Sequence, residues 1–167
     1  MPRNNDVLHL HYFKPYEFGP TKYRKEDWWQ FMCPRLLVLT DVFRHQWGRR
    51  VRVSNNEFAL GRRLGDSESQ HNVDRYDECR AIDCFPEGLV YREDAELAIE
   101  LAKEVGFTGI GLYPDWSGGV GLHLDTRRSN VPGDPATWGA LSTADGEQNY
   151  VTLEFALLAM SVKRTDT

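Results

Sequence analysis

The clearest hydrophobic pattern in the chain is helical, and it occurs twice. Apolar residues recur at spacings of three and four, and a glycine follows each segment where a helix would end. The first segment begins at Pro34, ends before Gly48, and carries the stripe Leu36, Leu39, Phe43 and Trp47. The second runs from Asp94 to Val105, ends before Gly106, and carries Ala95, Ala98, Leu101, Ala102 and Val105. We therefore predict two amphipathic helices.

The other apolar segments are shorter, and most of them indicate strands. Two of them, 7–13 and 51–54, alternate in character along the chain, and a third, 81–85, is apolar apart from Asp83 and is typical of a buried strand. Two more, 109–114 and 121–127, are joined by the glycine-rich turn 115–119. The last apolar stretch, 151–162, fits a helix or a strand, and its good helix formers favour a helix.

This order of elements predicts an α+β fold with a central antiparallel sheet flanked by helices. Two polar segments with glycine, 55–70 and 128–148, predict loops. The chain has 167 residues, of which 41% are hydrophobic and 27% charged, and these values are typical of a soluble globular domain. No shift in composition marks a boundary, so we predict a single domain over residues 1–167.

Charge and cysteine content exclude several classes of protein. A formal net charge of −5 favours neither nucleic acid nor an anionic membrane surface as a partner. The three cysteines form no C-x-x-C pair, which argues against a disulfide framework and an all-cysteine zinc site. The N-terminus, Met1–Asp6, is polar and no apolar run could cross a bilayer, so we expect synthesis in the cytoplasm without a signal peptide and no membrane insertion.

A histidine and a carboxylate share one face of the predicted strand 121–127. His123 and Asp125 are two residues apart, so their side chains project to the same side. Upstream, His71 lies in a polar loop and Asp83 in an apolar strand, where an ionised carboxylate needs a partner. Together His71, Asp83 and His123 could supply the three nitrogen and oxygen ligands of a hydrolytic zinc site.

Each of these three residues also has a purely structural interpretation. His71 could simply be exposed in its loop, and His123 could be a hydrogen-bonded histidine of the core. Asp83 could form an ion pair with Arg52 or Arg80. Taken singly, each residue is a weak indication of a metal ion, and only their occurrence together indicates a site.

Around these residues the chain resembles the peptidase M15 family, which comprises zinc D-Ala-D-Ala carboxypeptidases and related peptidoglycan endopeptidases. Two motifs carry the resemblance: Ser69-Gln70-His71 with Ala81-Ile82-Asp83, and Gly109–Pro114 leading to His123-Leu124-Asp125-Thr126-Arg127. The helix before Gly48, the strand 51–54 and Trp138-Gly139 are also similar to family features. The likeness spans roughly residues 35–140, and small phage and bacterial members are the most similar.

This resemblance implies a Hedgehog/DD-peptidase-like fold and a Zn²⁺ ion held by His71, Asp83 and His123. It implies hydrolysis of peptidoglycan peptides, at D-Ala-D-Ala termini or at cross-links, by a water that the metal activates and a carboxylate that accepts its proton. Asp125 is then predicted close to the metal, either as that base or as a group that orients His123. A phage endolysin that reaches the cell wall after release, or an enzyme carried in the virion, fits the expected lack of a signal peptide.

The chain departs from the family pattern around the first and last ligands. Eleven residues separate His71 from Asp83 where the family has six, so Asp74 or Asp77 could replace Asp83 as ligand. Some members carry a glutamate three residues before the last histidine, and Val120 occupies that position here. Asp115 is therefore a second, more distant alternative to Asp125 as the base.

Substrate binding is also predicted from the resemblance. The arginine-containing segment that the family has after Ser54 is absent, and Arg62 or Arg63 is predicted to hold a substrate carboxylate by a bidentate contact in its place. Tyr113 is predicted to contribute to the same substrate site. Two other functions stay open: a non-catalytic wall-binding or virion structural module that keeps the fold, and a metal-dependent amidase or hydrolase for a small substrate unrelated to the wall.

Overall fold

The structure, a computed structural model, describes residues 4–163. Residues 1–3 and 164–167 lie outside the described range, and so does the first half of the polar N-terminal stretch from which we expect no signal peptide. Helices and a six-stranded, mostly antiparallel sheet make up the described residues. The α+β class predicted from the sequence is therefore confirmed.

The six strands form one sheet in the order β1-β2-β4-β3-β5-β6. Their bounds are β1 (Val51–Val53), β2 (Ala81–Pro86), β3 (Gly109–Trp116), β4 (Gly119–Asp125), β5 (Ala136–Ser142) and β6 (Gln148–Val151). Neighbouring strands are antiparallel, except that β5 runs parallel to β3. The antiparallel hairpin β3–β4 lies in the middle of the sheet, so both of its edges are covered by other strands.

The helices are α1 (Pro34–Trp47), α2 (Val73–Tyr76), α3 (Arg92–Val105) and α4 (Leu153–Leu158), with three short 3₁₀ turns before α1. Both predicted amphipathic helices, α1 and α3, are confirmed. Gly48 and Gly106 end them with φ of +75° and +109°, a left-handed conformation that a residue without a side chain adopts most easily. Within residues 4–163, none of the helices is both long and apolar enough to cross a membrane.

One face of the sheet packs against α1 and α3 and forms the hydrophobic core. Leu122 and Leu124 of β4 lie fully buried in that core, and the ring of Phe43 from α1 meets that of Phe107 edge to face. Because side chains alternate along a strand, His123 and Asp125 project from the opposite face. The core therefore fixes which face of the sheet carries the polar residues.

The predicted strand at 7–13 is wrong. Its backbone takes no regular strand conformation, and the amide groups of His11, Tyr12 and Phe13 each donate to the carboxylate of Asp41 on α1 at 2.9 Å. The alternation of apolar and polar residues was real, but a buried side chain, rather than a neighbouring strand, accepts the backbone hydrogen bonds.

The predictions for the last forty residues are only partly right. The expected loop 128–148 contains all of β5 and the start of β6, and the expected helix 151–162 is helical only from Leu153 to Leu158. Thr152 divides that segment, because its hydroxyl accepts a hydrogen bond from the amide of Phe155 and caps α4. The parallel pairing of β5 with β3 is a tertiary contact, which the local pattern of 128–148 does not reveal.

Candidate metal centre

Three buried side chains converge above the sheet: His71, Asp83 and His123. Nε2 of His71 lies 3.3 Å from Nδ1 of His123, and Oδ1 of Asp83 lies 3.4 Å and 3.0 Å from the same two atoms. The exposed fraction of each residue is 3% for His71 and 8% for the other two. Three ligand-type atoms thus form a compact triangle at the bottom of a cavity.

Two of the three residues are placed by strand register. Asp83 of β2 is directly opposite His123 of β4 in an antiparallel pair, so their side chains lie next to each other on the same face. Cys84 and Leu122, one residue further along, face the core and hold both strands in that register. A slip of one residue would bury the polar pair in the core and expose the apolar one.

His71 reaches the same point from an irregular loop that the backbone and Asn72 hold in place. The carbonyl of His71 accepts from the amide of Arg62, and the amide of Val73 donates to the carbonyl of Arg62. The buried side-chain amide of Asn72 donates to the carbonyls of Gly65 and Ser67, and its oxygen accepts from two backbone amides. This network fixes the loop where the sheet provides no register.

In each histidine, the ring nitrogen that points away from the triangle (the outward nitrogen) has its own hydrogen-bond partner, and the other ring nitrogen points into the triangle (the inward nitrogen). The carbonyl of Leu60 can only accept a hydrogen bond, so Nδ1 of His71 carries the hydrogen and Nε2 of a neutral ring points its lone pair inward. Nε2 of His123 donates to Asp125 at 2.9 Å, which leaves Nδ1 as the inward atom. Metal-bound histidines are usually oriented in this way by a carbonyl or a carboxylate.

Asp125 is the most buried residue of the site, with an exposed fraction of 0%. Its carboxylate accepts from His123 and also from the guanidinium of Arg127, whose Nε lies 2.9 Å from Oδ1. The carboxylate occupies the space above Gly109, where a Cβ would lie 2.2 Å from Oδ1. Asp125 therefore orients the ring of His123 through the nitrogen that points away from the triangle. Two roles were predicted for Asp125, a base and a group that orients His123, and the geometry fits the orienting group.

The two histidines have opposite electrostatic environments. Burial lowers the pKa of His71, and Asp83 offsets this only in part. Burial alone would also lower the pKa of His123, but its hydrogen bonds to Asp125 and Asp83 raise it to about 9. Burial would raise the pKa of Asp83, yet the neighbouring histidines hold it well below its ordinary range, so this carboxylate is an anion at neutral pH.

The triangle of ligand atoms has the size that a small tetrahedral ion needs. Zinc bonds to nitrogen and oxygen of about 2.0–2.1 Å place neighbouring ligand atoms roughly 3.3 Å apart, and the three separations here are 3.0, 3.3 and 3.4 Å. Two imidazoles and one carboxylate are also a donor set that zinc accepts. The residues fit a metal ion, and the cavity above them leaves a fourth position open.

That cavity has a volume of about 580 Å³. Arg62 and Tyr113 line it, while Arg63 lines a separate cleft in which its guanidinium lies over the rings of Trp28 and Phe31. Nη2 of Arg62 is 3.9 Å from Oδ2 of Asp83, so Arg62 is the charged neighbour of that carboxylate. Arg80, in contrast, pairs with Glu78, and Arg52 lies over the ring of Phe85.

The alternative acidic residues do not join the centre. Asp74 and Asp77 are exposed on α2 and at its end, where Asp74 lies 3.7 Å from Arg63. Asp115 is exposed and accepts hydrogen bonds from Ser142 on β5. Among residues 4–163, the metal-type group consists of His71, Asp83 and His123 alone.

Sequence reasoning missed several residues that line the cavity: Glu68, Gln148 and Tyr150 were not singled out, and Arg127 and Trp138 were noted only as parts of a motif. The indole of Trp138 lies across Gly111, where a Cβ would be 2.6 Å from the ring, and its centroid is 5.1 Å from that of His123. The pair Gly109-x-Gly111 is the signal that could have found it, because each glycine makes room for a side chain of a neighbouring strand.

Comparison of the chain with protein-family models, with characterised proteins and with solved structures gives no significant match. A function for this chain therefore has to be inferred from the geometry of the site and from the motifs in the sequence.

Proposed function

We propose that this protein is a zinc-dependent peptidase of the M15 type, with a Hedgehog/DD-peptidase-like fold, that hydrolyses the peptides of peptidoglycan. The observation that carries the proposal is the buried triangle of His71, Asp83 and His123, in which both histidines present an inward nitrogen and have the outward one held. The sequence motifs that contain these residues supply the link to wall peptides.

A bound zinc ion would lower the pKa of a water molecule and polarise the scissile carbonyl. His71 would bind it as a neutral ligand and Asp83 as an anion, while His123 would give up its Nδ1 proton on metal binding. Asp125 would stay charged and hold the His123 ring by its Nε2 hydrogen, which makes it a positioning residue.

We assign the role of proton acceptor to Glu68. Among residues 4–163, Glu68 and Asp83 are the two acidic residues that line the cavity, and Asp83 is already assigned to the metal. The carboxylate of Asp125 is fully buried and engaged, and Val120 stands where some members of the M15 family carry a glutamate. The backbone of Glu68 is held by Tyr76, whose hydroxyl donates to its carbonyl, while its exposed carboxylate lies 3.6 Å from the guanidinium of Arg75.

Arg62 is the group proposed to bind a substrate carboxylate. Its Nε donates to the carbonyl of Phe58, which fixes the guanidinium at the cavity with one edge still available. Because the guanidinium is so close to Asp83, a carboxylate held there would belong to the residue next to the scissile bond. This favours a carboxypeptidase acting on D-Ala-D-Ala termini over an endopeptidase.

The experiment is to incubate the zinc-loaded protein with muropeptide monomers that end in D-Ala-D-Ala and with cross-linked dimers, and to analyse the products by mass spectrometry. We expect release of D-Ala from the monomers, loss of activity with a chelator and in His123→Ala, and recovery when zinc is added back to the wild type. Conversion of dimers to monomers would instead identify an endopeptidase.

A second candidate is a non-catalytic wall-binding module. The specific observation in its favour is that the hairpin β3–β4 supplies no carboxylate to the cavity, since Val120 and Asp125 cannot accept a proton there. Binding of zinc-loaded protein to purified peptidoglycan, without release of any product and without change in His123→Ala, would favour this module. Hydrolysis of small amide substrates alone would favour the amidase.

A further inference from the structure

Tyr113 lies on the same face of the sheet as His123 and forms one wall of the cavity. His123 is paired with Gly111 of β3, and Tyr113 is two residues beyond Gly111, so its side chain projects to the same side. The exposed fraction of Tyr113 is 6%, and its ring stacks on Trp116 with the centroids 4.0 Å apart. The phenol thus has a fixed position beside the ligand triangle.

Trp138 determines how the hydroxyl of Tyr113 is oriented. Nε1 of Trp138 donates to Oη of Tyr113 at 3.1 Å. The indole cannot easily turn, because it lies on Gly111 below and meets the guanidinium of Arg127, which is 4.8 Å from the ring centroid. Trp138 can only donate, so the phenol oxygen accepts this bond and its own hydrogen must point elsewhere.

The hydrogen of Tyr113 is donated to the hydroxyl of Tyr150. Tyr150, a residue of β6, is 66% exposed, so a bound molecule could displace it and become the acceptor of this hydrogen in its place. Burial raises the pKa of Tyr113, and the partial offset by Trp138 does not restore the ordinary value, so the phenol stays protonated at any working pH. Tyr113 can therefore donate a hydrogen bond but cannot act as a base.

We infer that Tyr113 donates a hydrogen bond to the carbonyl oxygen of the substrate as that oxygen gains negative charge, and that Trp138 is the residue that positions it. The inference rests on the proposed peptidase function, and it goes beyond substrate binding because the bond would be strongest when the charge has developed. No proton is transferred, and the hydrogen stays on the phenol throughout.

The cationic groups of the cavity, Arg62 and Arg127, are less suited to this task than Tyr113. Arg127 is bonded to Asp125 through Nε and Nη2, and Nε of Arg62 is bonded to Phe58. Arg62 lies on the side of Asp83, whereas Tyr113 is on the strand beyond His123. A substrate in the cavity would thus meet Arg62 at one end and Tyr113 at the other.

The test compares Tyr113→Phe and Trp138→Phe with the wild type and with Tyr16→Phe as the matched control, since that variant also loses one phenolic hydroxyl, from a residue that is 78% exposed and does not line the cavity. Zinc content and circular dichroism are measured first. For Tyr113→Phe we expect kcat to fall about 10²-fold with KM changed by less than about threefold, as for the loss of one donor to an oxyanion. Trp138→Phe should lower kcat by about tenfold, and Tyr16→Phe should leave it within about threefold.

A second readout does not depend on activity. Inorganic phosphate, a tetrahedral oxyanion, is titrated calorimetrically into each zinc-loaded protein. We expect Tyr113→Phe to weaken phosphate binding about ten- to hundredfold, which corresponds to one hydrogen bond to a charged group, and Tyr16→Phe to leave it unchanged.

The outcomes separate the two proposals. If the wild type cleaves no wall peptide but Tyr113→Phe weakens phosphate binding, the peptidase function is wrong and the donor role of Tyr113 stands. If the wild type cleaves wall peptides and Tyr113→Phe changes neither kcat nor phosphate affinity, the donor role is overturned and the peptidase function stands. A wild type that takes up no zinc contradicts both, and metal analysis shows this before any phosphate is added.

Discussion

His71 and His123 face the same centre, but the chain holds them by different means. His123 lies in the middle of a sheet, with Asp83 fixed opposite by register and Asp125 behind its ring. His71 lies in a loop, and its ring is oriented by one backbone carbonyl, that of Leu60. The strand histidine thus depends on the chemistry of neighbouring side chains, and the loop histidine depends on the path of the backbone.

The same difference explains the opposite pKa shifts. A carbonyl has no net charge, so nothing behind His71 compensates for its burial. His123 has a carboxylate on each side, and these favour the charged ring. The centre therefore combines one histidine that is ready to bind a metal ion with one that must first lose a proton.

The largest effect is expected when the strand histidine loses its carboxylate. Asp125→Ala removes a fully buried anion and leaves Arg127 and the Nε2 hydrogen of His123 without their acceptor, which should lower the free energy of unfolding by about 3–5 kcal/mol. Zinc affinity should fall about 10- to 100-fold. Denaturant unfolding measures the free energy of unfolding and metal titration measures the zinc affinity, with Asp115→Ala, at an exposed carboxylate, as the control. A decrease of the free energy of unfolding below about 1 kcal/mol would show that Asp125 does not hold the site.

The corresponding change on the loop side is Asn72→Ala. This substitution removes four hydrogen bonds of a side chain that is 0% exposed and leaves backbone groups of the loop unsatisfied. We expect unfolding to become easier by about 2–3 kcal/mol and zinc affinity to fall because His71 is no longer held. Equal stability of Asn72→Ala and wild type in thermal unfolding would contradict this role of Asn72 in the loop.

A smaller effect is expected from adding one methyl group next to Asp125. Gly109→Ala would place a Cβ 2.2 Å from Oδ1 of Asp125, so the carboxylate and then the His123 ring must shift. The cost should be about 1–3 kcal/mol, with zinc affinity lowered and Trp138 undisturbed. Gly111→Ala is the matched variant, since its Cβ would meet Trp138 instead, and an identical response of both variants would argue against separate roles for the two glycines.

A change of pH alters the site least, because it adds or removes a proton without changing a side chain. In the metal-free protein the pKa of His123 is raised from 6.5 to about 9 and that of His71 is lowered. The stabilisation from charged His123 is therefore complete below pH 6.5 and is lost as the pH rises through about 9. Nitrogen NMR of the two rings at neutral pH should find His123 doubly protonated and His71 neutral, and two neutral rings would contradict this.

Much of the fold and the candidate metal-binding group could be predicted from patterns in the sequence. The helical stripes ending at Gly48 and Gly106 determined α1 and α3, and the alternation around His123 determined which residues face away from the core. The group of His71, Asp83 and His123 was predicted as well, and the structure brings these three residues together.

The rest depends on contacts between distant parts of the chain. Trp138 reaches the centre only because β5 pairs with β3 in parallel, and Asp41 accepts the amides of residues 11–13 across about thirty residues of sequence. Neither arrangement leaves a periodic signal. The role of Asp125 could not be settled from spacing either, because a base and an orienting carboxylate both require the face that His123 occupies.

The most direct test of the metal centre is the zinc content of the purified protein beside His71→Ala, Asp83→Ala and His123→Ala, with circular dichroism to confirm that each variant folds. We predict about one zinc ion per chain in the wild type, as expected for a three-ligand site, and loss of that ion in all three variants. A wild type that binds no zinc when the ion is supplied, or an Asp83→Ala variant that retains it, would contradict a zinc site formed by these three residues.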